Sequence, residues 1–209
     1  MRKFFLIPLL MACLLSSAQT TTIRDVFKAM PDSLLPYLTQ NHRLDFIDFM
    51  DSGMEAQVTN ELGGTSVMTV LKDNYLHLRL SESSVLQIRL LPVCTPVDGM
   101  QQIICMVCTY GTSGQESAIT FYSCSWRPLE MSVKVCADDL MVRPENMSVE
   151  RFKEVKEMLK PGLIRAELSA DDDLISFSLS DVGIPADDQQ DVDAVKMSKV
   201  LKWNKSCFN

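Results

Sequence analysis

The sequence predicts an α+β fold in which N-terminal helices pack on a large, curved antiparallel β-meander, with a further helix and strands at the C-terminal end. Three observations predict this arrangement. Apolar residues recur at helical spacing between residues 23 and 51. From Glu55 to Cys136 apolar and polar residues alternate, and short polar turns interrupt the alternation, which favours antiparallel strands. A second helical pattern at residues 148–160 precedes further strand patterns.

Short helices are predicted before the first strand. One covers residues 23–30, and another covers residues 34–39 with Pro36 in its first turn, where a missing N–H costs little. Asn41 is predicted to cap a third helix that ends at Asp51. The apolar stripe of this third helix contains Leu44, Phe46, Ile47, Phe49 and Met50.

The alternating region is predicted to form a meander of short hairpins. Clusters of glycine, asparagine, aspartate, serine and proline separate the strands. The predicted strands cover residues 55–60, 65–72, 74–81, 85–92, 101–110, 117–126 and 130–136. Helices over such a sheet look like the half-barrel of lipoprotein carriers, which is an analogy of architecture and does not fix a function.

The stretch DNYLHLRLSESSVLQIRLLP, residues 73–92, allows a prediction of register. Its apolar residues are even-numbered on both sides of the turn, so paired residue numbers should have an even sum. A three-residue loop, 82–84, satisfies this condition and pairs Leu80 with Leu86 and Leu78 with Ile88. The same register places the odd-numbered residues on a solvated outer face.

A second helix-and-strand unit is predicted after Cys136. Ser148 is predicted to cap a helix that ends before Pro161, and strands are predicted at 162–169 and 174–180. Residues 185–195 are predicted to be a loop or a weak helix. The helix is expected to bury Val149, Phe152, Val155 and Leu159, and a last strand or hairpin is expected to contain Leu201, Trp203 and Phe208.

The N-terminus is typical of a secretory signal peptide. Arg2 and Lys3 precede a short apolar run, and small residues end it, which predicts cleavage after Ala18 and a single domain over residues 19–209. The alternative is a lipoprotein anchored at Cys13, because residues 10–13 resemble a lipobox. The sequence therefore predicts a periplasmic or secreted protein.

Charge and hydropathy restrict the partners of the chain. The net charge is −7, and removal of the signal peptide would take it to −9, which disfavours nucleic acid as a partner. No segment of the mature chain is long and apolar enough to cross a membrane. We expect no cofactor, since the sequence contains no phosphate loop or dinucleotide fingerprint.

Six cysteines remain after the predicted cleavage, and their pairing cannot be derived from the sequence. Cys105 and Cys108 have the spacing of a redox motif, but they lie in a predicted strand, where residues three apart point to opposite faces. They are therefore not expected to bridge to each other. The cysteines are Cys94, Cys105, Cys108, Cys124, Cys136 and Cys207.

Two histidines are candidates for a functional role. His77 lies on the predicted outer face with Arg79 and Arg89, and the three could form a small anion-binding patch, although a solvated strand histidine is the simpler interpretation. His42 and Asp45 lie on neighbouring helical turns and could form a catalytic or metal-binding pair. A solvated helix face explains the second pair as well.

The predicted function is a non-enzymatic binding module for an apolar ligand, a peptide or an envelope protein. Its site would be the concave apolar side of the sheet, lined by residues such as Leu78, Ile88 and Phe121, although each of these could be plain core. The alternative is a hydrolase or metal-dependent enzyme that uses His42 and Asp45.

Six stretches carry a resemblance to a known family, namely SSAQ at residues 16–19, RLDFIDFMDSG at 43–53, EAQVTNELGG at 55–64, DNYLHLRLSESS at 73–84, ITFYSCSWRPL at 119–129 and LKWNKSCF at 201–208. They resemble a family of uncharacterised exported proteins from Bacteroides-type bacteria that carry a domain of unknown function. The resemblance covers nearly the whole mature chain and implies a Gram-negative envelope setting, but it implies no catalytic residue.

Overall fold

Two antiparallel sheets and four α-helices form the fold, as seen in a computed structural model that describes residues 21–180 and 183–209. The large sheet has six strands in sequence order and the small sheet has three. The predicted α+β class is confirmed, and the described part of the chain contains no closed barrel. The predicted signal peptide lies outside the described residues.

The N-terminal region forms two α-helices, α1 (Ile23–Lys28) and α2 (Gln40–Asp51). Between them only a 3-10 turn forms, at Asp32–Leu34, so the helix predicted at 34–39 is wrong. The cap of α2 is Thr39 and not Asn41, because the Thr39 side chain accepts a hydrogen bond from the His42 amide.

The large sheet confirms six of the seven predicted strands. They are β1 (Gln57–Thr59), β2 (Thr65–Leu71), β3 (Tyr75–Ser81), β4 (Ser84–Val97), β5 (Met100–Tyr110) and β6 (Glu116–Ser123). The strand predicted at 130–136 is wrong. That segment leaves β6 after the hydrogen bond from the Leu129 amide to the Phe121 carbonyl, and it has no ladder partner among the described residues.

The register of the β3–β4 hairpin differs from the prediction by two residues. Leu78 pairs with Leu86 and Leu76 pairs with Ile88, because a bulge at Leu80 takes up one residue of the predicted loop. The numbers of the paired residues still add to an even value, so the leucines of the two strands still share one face. His77 therefore lies opposite Gln87 and not opposite Arg89.

The C-terminal region supplies α3 (Val149–Met158), α4 (Gln189–Val195) and the small sheet. The strands of this sheet are β7 (Ile164–Leu168), β8 (Leu174–Leu179) and β9 (Lys199–Lys202). Ser148 caps α3 as predicted, and Val155 and Leu159 are buried. Val149 is 48% exposed, because at the first position of the helix it projects away from the core.

Both faces of the large sheet are buried. One face packs against α1 and α2 and forms a helix-side core that includes Phe27, Phe46 and Leu78. The other face packs against the small sheet and α3 and forms a small-sheet-side core that includes Phe121 and Trp203. The predicted solvated outer face is therefore wrong, since residues 86–91 of β4 are all buried.

The helices within residues 21–180 and 183–209 are all too short or too polar to cross a membrane.

Candidate functional site

The small sheet lies with the edge of β7 against the large sheet, and polar side chains fill the contact. The amide N–H of Leu168 donates to Oε1 of Gln87 at 2.9 Å, and that of Ala166 donates to Oγ of Ser117 at 2.9 Å. Backbone N–H groups that are buried without an acceptor are costly. Gln87 and Ser117 thus satisfy two of the β7 amides that do not bond to β8.

Arg89 holds the turn between β7 and β8. Its guanidinium donates to Asp173 at 2.9 Å and to the Ser169 carbonyl at 2.9 Å, and the residue is only 2% exposed. At the rim Lys72 binds Asp171 at 2.6 Å. Two carboxylates of this acidic turn are therefore matched with cations of the large sheet.

A small polar cavity lies beside these contacts, and we call it the inter-sheet cavity. Its volume is about 40 Å³. It is lined by His77, Val85, Gln87, Thr109, Gln115, Arg165 and Ala166. Nδ1 of His77 lies 2.6 Å from Oγ1 of Thr69. Burial lowers the pKa of His77; Glu167 raises this pKa and Arg165 lowers it further.

The predicted anion patch does not assemble as expected. His77 lines the inter-sheet cavity, Arg79 is exposed on β3, and Arg89 is buried opposite Tyr75 with Asp173 as its counter-ion. Burial and the nearby Glu167 carboxylate raise the pKa of Tyr75 to about 12. Anion binding by the three predicted residues stays a prediction, but their geometry separates them.

The residues predicted to line an apolar site lie on opposite faces of the sheet. Leu78 and Ile88 are fully buried in the helix-side core. Phe121 belongs to the small-sheet-side core, where its ring lies 6.2 Å from that of Trp203. The structure does not bring the three together on one surface.

His42 is used in the cap of α2. Its Nδ1 accepts the Thr39 amide at 3.3 Å, and its Nε2 lies 4.0 Å from the Glu61 carboxylate. Asp45 points to solvent. Among the described residues no three His, Cys, Asp or Glu side chains are placed to hold a metal ion.

The two cysteines of the Cys-x-x-Cys spacing lie on opposite faces of β5, as predicted. Cys105 is in the small-sheet-side core and Cys108 packs against the helix-side core. Burial raises the pKa of both thiols, so neither is prepared for nucleophilic chemistry. All six described cysteines are free thiols.

A second cleft follows the outer edge of β6, and we call it the β6 cleft. Its volume is about 250 Å³. Its lining comes from three elements, which are β6, the segment 130–136 and the small sheet with the glycine that precedes it. It is lined by Glu116, Ser117, Ile119, Ser132, Val133, Val135, Gly162, Ile164, Ala166 and Phe177.

The backbone of β6 offers hydrogen-bonding groups to this cleft. The Phe121 carbonyl and the Ser123 amide already bond away from β5, to the segment that follows β6. Because the direction of backbone groups alternates along an antiparallel strand, Ser117 and Ile119 also direct their N–H and C=O groups outward. Within residues 21–180 and 183–209 these outward groups have no backbone partner.

Sequence reasoning missed the polar residues between the sheets and the β6 cleft. Gln87 carried a signal, because a glutamine inside the run VLQIRLL interrupts an otherwise buried strand. Arg165 carried no such signal, since an arginine on a short strand is usually a solvent-exposed residue. The cleft could not be predicted, because the alternation of 130–136 is typical of a strand. The pattern of one segment does not tell whether that segment pairs with another.

A solved structure that resembles this fold is the structure of a domain of an uncharacterized protein from Porphyromonas gingivalis W83, with a TM-score of 0.72. The two chains are 20% identical, and the match covers 89% of this chain and 96% of that one. At this identity the likeness shows the shared fold. No curated protein matches the chain.

The resemblance to a family with a domain of unknown function is confirmed at the level of the family, whereas export and a Bacteroides-type source stay predictions. The family described as "Protein of unknown function (DUF3256)" matches residues 15–208, which is nearly the whole chain. The chain therefore belongs to this DUF3256 family.

Proposed function

We propose that the protein is an exported, non-enzymatic binding module that takes up an extended segment of an envelope protein along β6. The observation that carries this proposal is the pair of residues, Ser117 and Ile119, whose outward backbone groups face an open cleft without partners among the described residues. A peptide strand can add to such an edge through main-chain hydrogen bonds.

The floor of the cleft supports an extended occupant with alternating side chains. Ile164, Ala166 and Phe177 supply an apolar floor, so alternate side chains of a bound strand would be buried while the others face solvent. The segment 130–136 has the alternating burial of an extended chain and adds Ser132, Val133 and Val135 to the lining. An extended peptide uses both kinds of contact, whereas a compact apolar ligand would leave the backbone groups unpaired.

The two other predicted functions have less support. An apolar carrier needs an internal cavity, but the side chains of α1 and α2 fill the space over the sheet that a ligand would occupy. An enzyme based on His42 and Asp45 needs these two side chains to cooperate, but Nδ1 of His42 is engaged by Thr39.

Site-specific photocrosslinking in the host cell tests the proposed site. A crosslinking amino acid at Ser132, on the rim of the cleft, should give a defined product, and mass spectrometry of this product identifies the partner segment. The same amino acid at Leu62, which is 79% exposed and far along the chain from the cleft, is the matched control. Equal products at both positions would contradict the proposal.

A proline substitution then tests the main-chain contacts. Ile119→Pro removes an outward N–H but no bond to β5, so the edge strand should tolerate it. We expect the Kd for a synthetic peptide of the crosslinked sequence to rise at least about tenfold, which corresponds to one lost hydrogen bond. Ile119→Val keeps the donor and should bind like the wild type. Unchanged binding by the folded proline variant would overturn the proposal.

Export is tested separately. The mature protein from a periplasmic fraction should begin at Gln19, as read by its intact mass. A lipid-modified mass that begins at Cys13 would favour the lipoprotein alternative instead, and an uncleaved cytoplasmic chain would refute export without affecting the binding test.

A further inference from the structure

A hairpin between β6 and the segment that follows it begins but does not continue. The Leu129 amide donates to the Phe121 carbonyl at 2.9 Å, next to an antiparallel bridge between the two segments. The Met131 amide then bonds back to the Leu129 carbonyl at 2.9 Å, so the ladder stops at this point. Beyond it the segment 130–136 contributes to the lining of the β6 cleft.

β6 and the segment 130–136 both have unpaired backbone groups. The outward N–H and C=O groups of Ser117 and Ile119 have no backbone partner among the described residues. In the segment, the N–H and C=O groups of Val133 form no hydrogen bond to any described residue, and the Met131 carbonyl accepts none from one. Each element therefore has donors and acceptors that the other could bind.

The register of the started hairpin matches these groups to one another. Hydrogen-bonded pairs recur at every second residue of an antiparallel ladder. Continued from the Phe121 pair, the ladder brings Met131 opposite Ile119 and Val133 opposite Ser117. Apart from the Met131 amide, the backbone groups that would meet are the unpaired ones.

The side chains fit the same register. Residues that lie opposite each other in a ladder share one face of the sheet. Ile119 and the odd-numbered residues of the segment already pack against the small-sheet-side core, and the even-numbered residues of the segment are exposed. Pairing would thus leave every side chain on the side that it occupies now. The segment also contains no proline or glycine, so each of its residues can join a ladder.

We propose that the segment 130–136 is a strand that closes onto β6 when no partner is bound, with Met131 opposite Ile119 and Val133 opposite Ser117. The structure shows the open form of this pair. In the closed form the large sheet has one further strand, at the position where the alternation of the segment predicts it.

Closing needs only a local rearrangement. It releases one hydrogen bond, from the Met131 amide to the Leu129 carbonyl, and it closes no new loop because the hairpin turn is already formed. The far end of the segment stays in place, since the Cys136 amide donates to Oδ2 of Asp139 at 3.1 Å.

The closed strand regulates the peptide site, and this consequence alone rests on the proposed function. A peptide that adds to β6 needs the outward groups of Ser117 and Ile119, which the closed form uses itself. The apparent affinity for the peptide is therefore reduced by the fraction of molecules that are open.

A disulfide trap tests the closed form without any partner. Ser117→Cys with Val133→Cys should form a disulfide on mild oxidation, because paired Cα atoms lie about 5.5 Å apart. Ser117→Cys with Val135→Cys is the matched control, since both residues line the cleft but are one pair out of register, at about 7–8 Å. Mass spectrometry of the linked peptides distinguishes the product from links between native cysteines. Equal trapping of both pairs, or none in the folded first variant, would overturn the proposal.

Hydrogen exchange tests the closed form without a change at Ser117. The Ile119 amide has an acceptor only in the closed form, so it should exchange at least about fivefold more slowly in the wild type than in Met131→Pro, which cannot pair at that position. Ser132→Pro is the control, because the Ser132 amide points away from β6 in the closed form. Equal exchange of the Ile119 amide in the wild type and Met131→Pro would overturn the proposal.

Binding of the crosslinked peptide sequence tests the regulation. The trapped disulfide form should bind the peptide at least about tenfold more weakly than its reduced form, and Met131→Pro should bind it more tightly than the wild type. Unchanged binding by the trapped form would overturn the regulation. If no form binds a peptide, the proposed function fails, whereas the trapping and exchange results still decide whether the strand closes.

Discussion

The two faces of the large sheet are both buried, but they are covered by different kinds of structure and contain different residues. The face under α1 and α2 is apolar along β3 and β4, with leucine or isoleucine at every even position from 76 to 90 except Glu82 in the turn and Ser84 at the start of β4. The face under the small sheet is mixed. Along β4 it contains Val85, Gln87, Arg89 and Leu91.

The difference follows from what each cover presents to the sheet. A helix satisfies its backbone internally and presents side chains only, so apolar residues are enough to pack against it. A strand edge presents backbone N–H and C=O groups, which need partners. Arg43 follows the rule on the helix side, since this buried arginine binds the carbonyls of Met30 and Leu38, which lie in the connection between α1 and α2. Arg43, Gln87 and Arg89 thus each lie where backbone groups are left over.

Removal of Arg89 should have the largest effect on stability, and it tests whether the polar contacts under the small sheet matter. Arg89→Met leaves Asp173 and the Ser169 carbonyl without their partner, and we expect a loss of about 3 kcal/mol in the free energy of unfolding. Urea denaturation measures this loss. The exposed arginine of the neighbouring strand is the control, and Arg79→Met should change the same free energy by less than about 0.5 kcal/mol.

Equal losses of unfolding free energy in Arg89→Met and Arg79→Met would contradict the proposed difference between the two faces. They would mean that the small sheet is held by its apolar contacts alone, and that the polar contacts of its edge contribute nothing measurable.

A smaller effect is expected from Gln87→Leu. This change leaves the Leu168 amide buried without an acceptor, and we expect a loss of about 1–3 kcal/mol although the new residue is more apolar. Hydrogen exchange should show faster exchange at the Leu168 amide, while the amides between β3 and β4 keep their protection. If Gln87→Leu stabilised the protein, the face under the small sheet would be an ordinary apolar core.

Periodicity predicted most of the fold correctly, because the elements of this chain follow their local patterns. The turns at Asp73-Asn74, Asp98-Gly99 and Gly111–Gly114 separate β2 to β6 as expected. The errors have physical causes that lie outside the local pattern. The bulge at Leu80 adds a residue without changing the alternation, and the extended segment 130–136 alternates like a strand because it packs on a core without pairing.

The candidate sites could be predicted much less well. The alternating pattern predicts that the odd-numbered residues of β3 and β4 lie in a polar environment. It does not tell whether water or the backbone edge of another strand supplies it, since either can bond to a glutamine. His77 and Arg89 were therefore assigned to solvent, although Arg89 is buried. Arg165 lines the cavity with His77 only because β7 packs against the large sheet. His77 is about ninety residues away in the chain, and no local pattern predicts that packing.

Titration of His77 should give the smallest effect, and it sharpens the comparison because His77 lies where the sheets meet. Burial lowers the pKa of His77 in the folded state, so the unfolded chain takes up its proton first as the pH falls through the ordinary value of about 6.5. Stability due to this group is therefore present above that pH and decreases as the pH falls toward the folded pKa. The urea midpoint of the wild type should fall more between pH 7.5 and pH 5.5 than that of His77→Gln. Parallel pH profiles would mean that His77 is solvated in the folded state, and that the contact between β3 and β7 is open to water at this point.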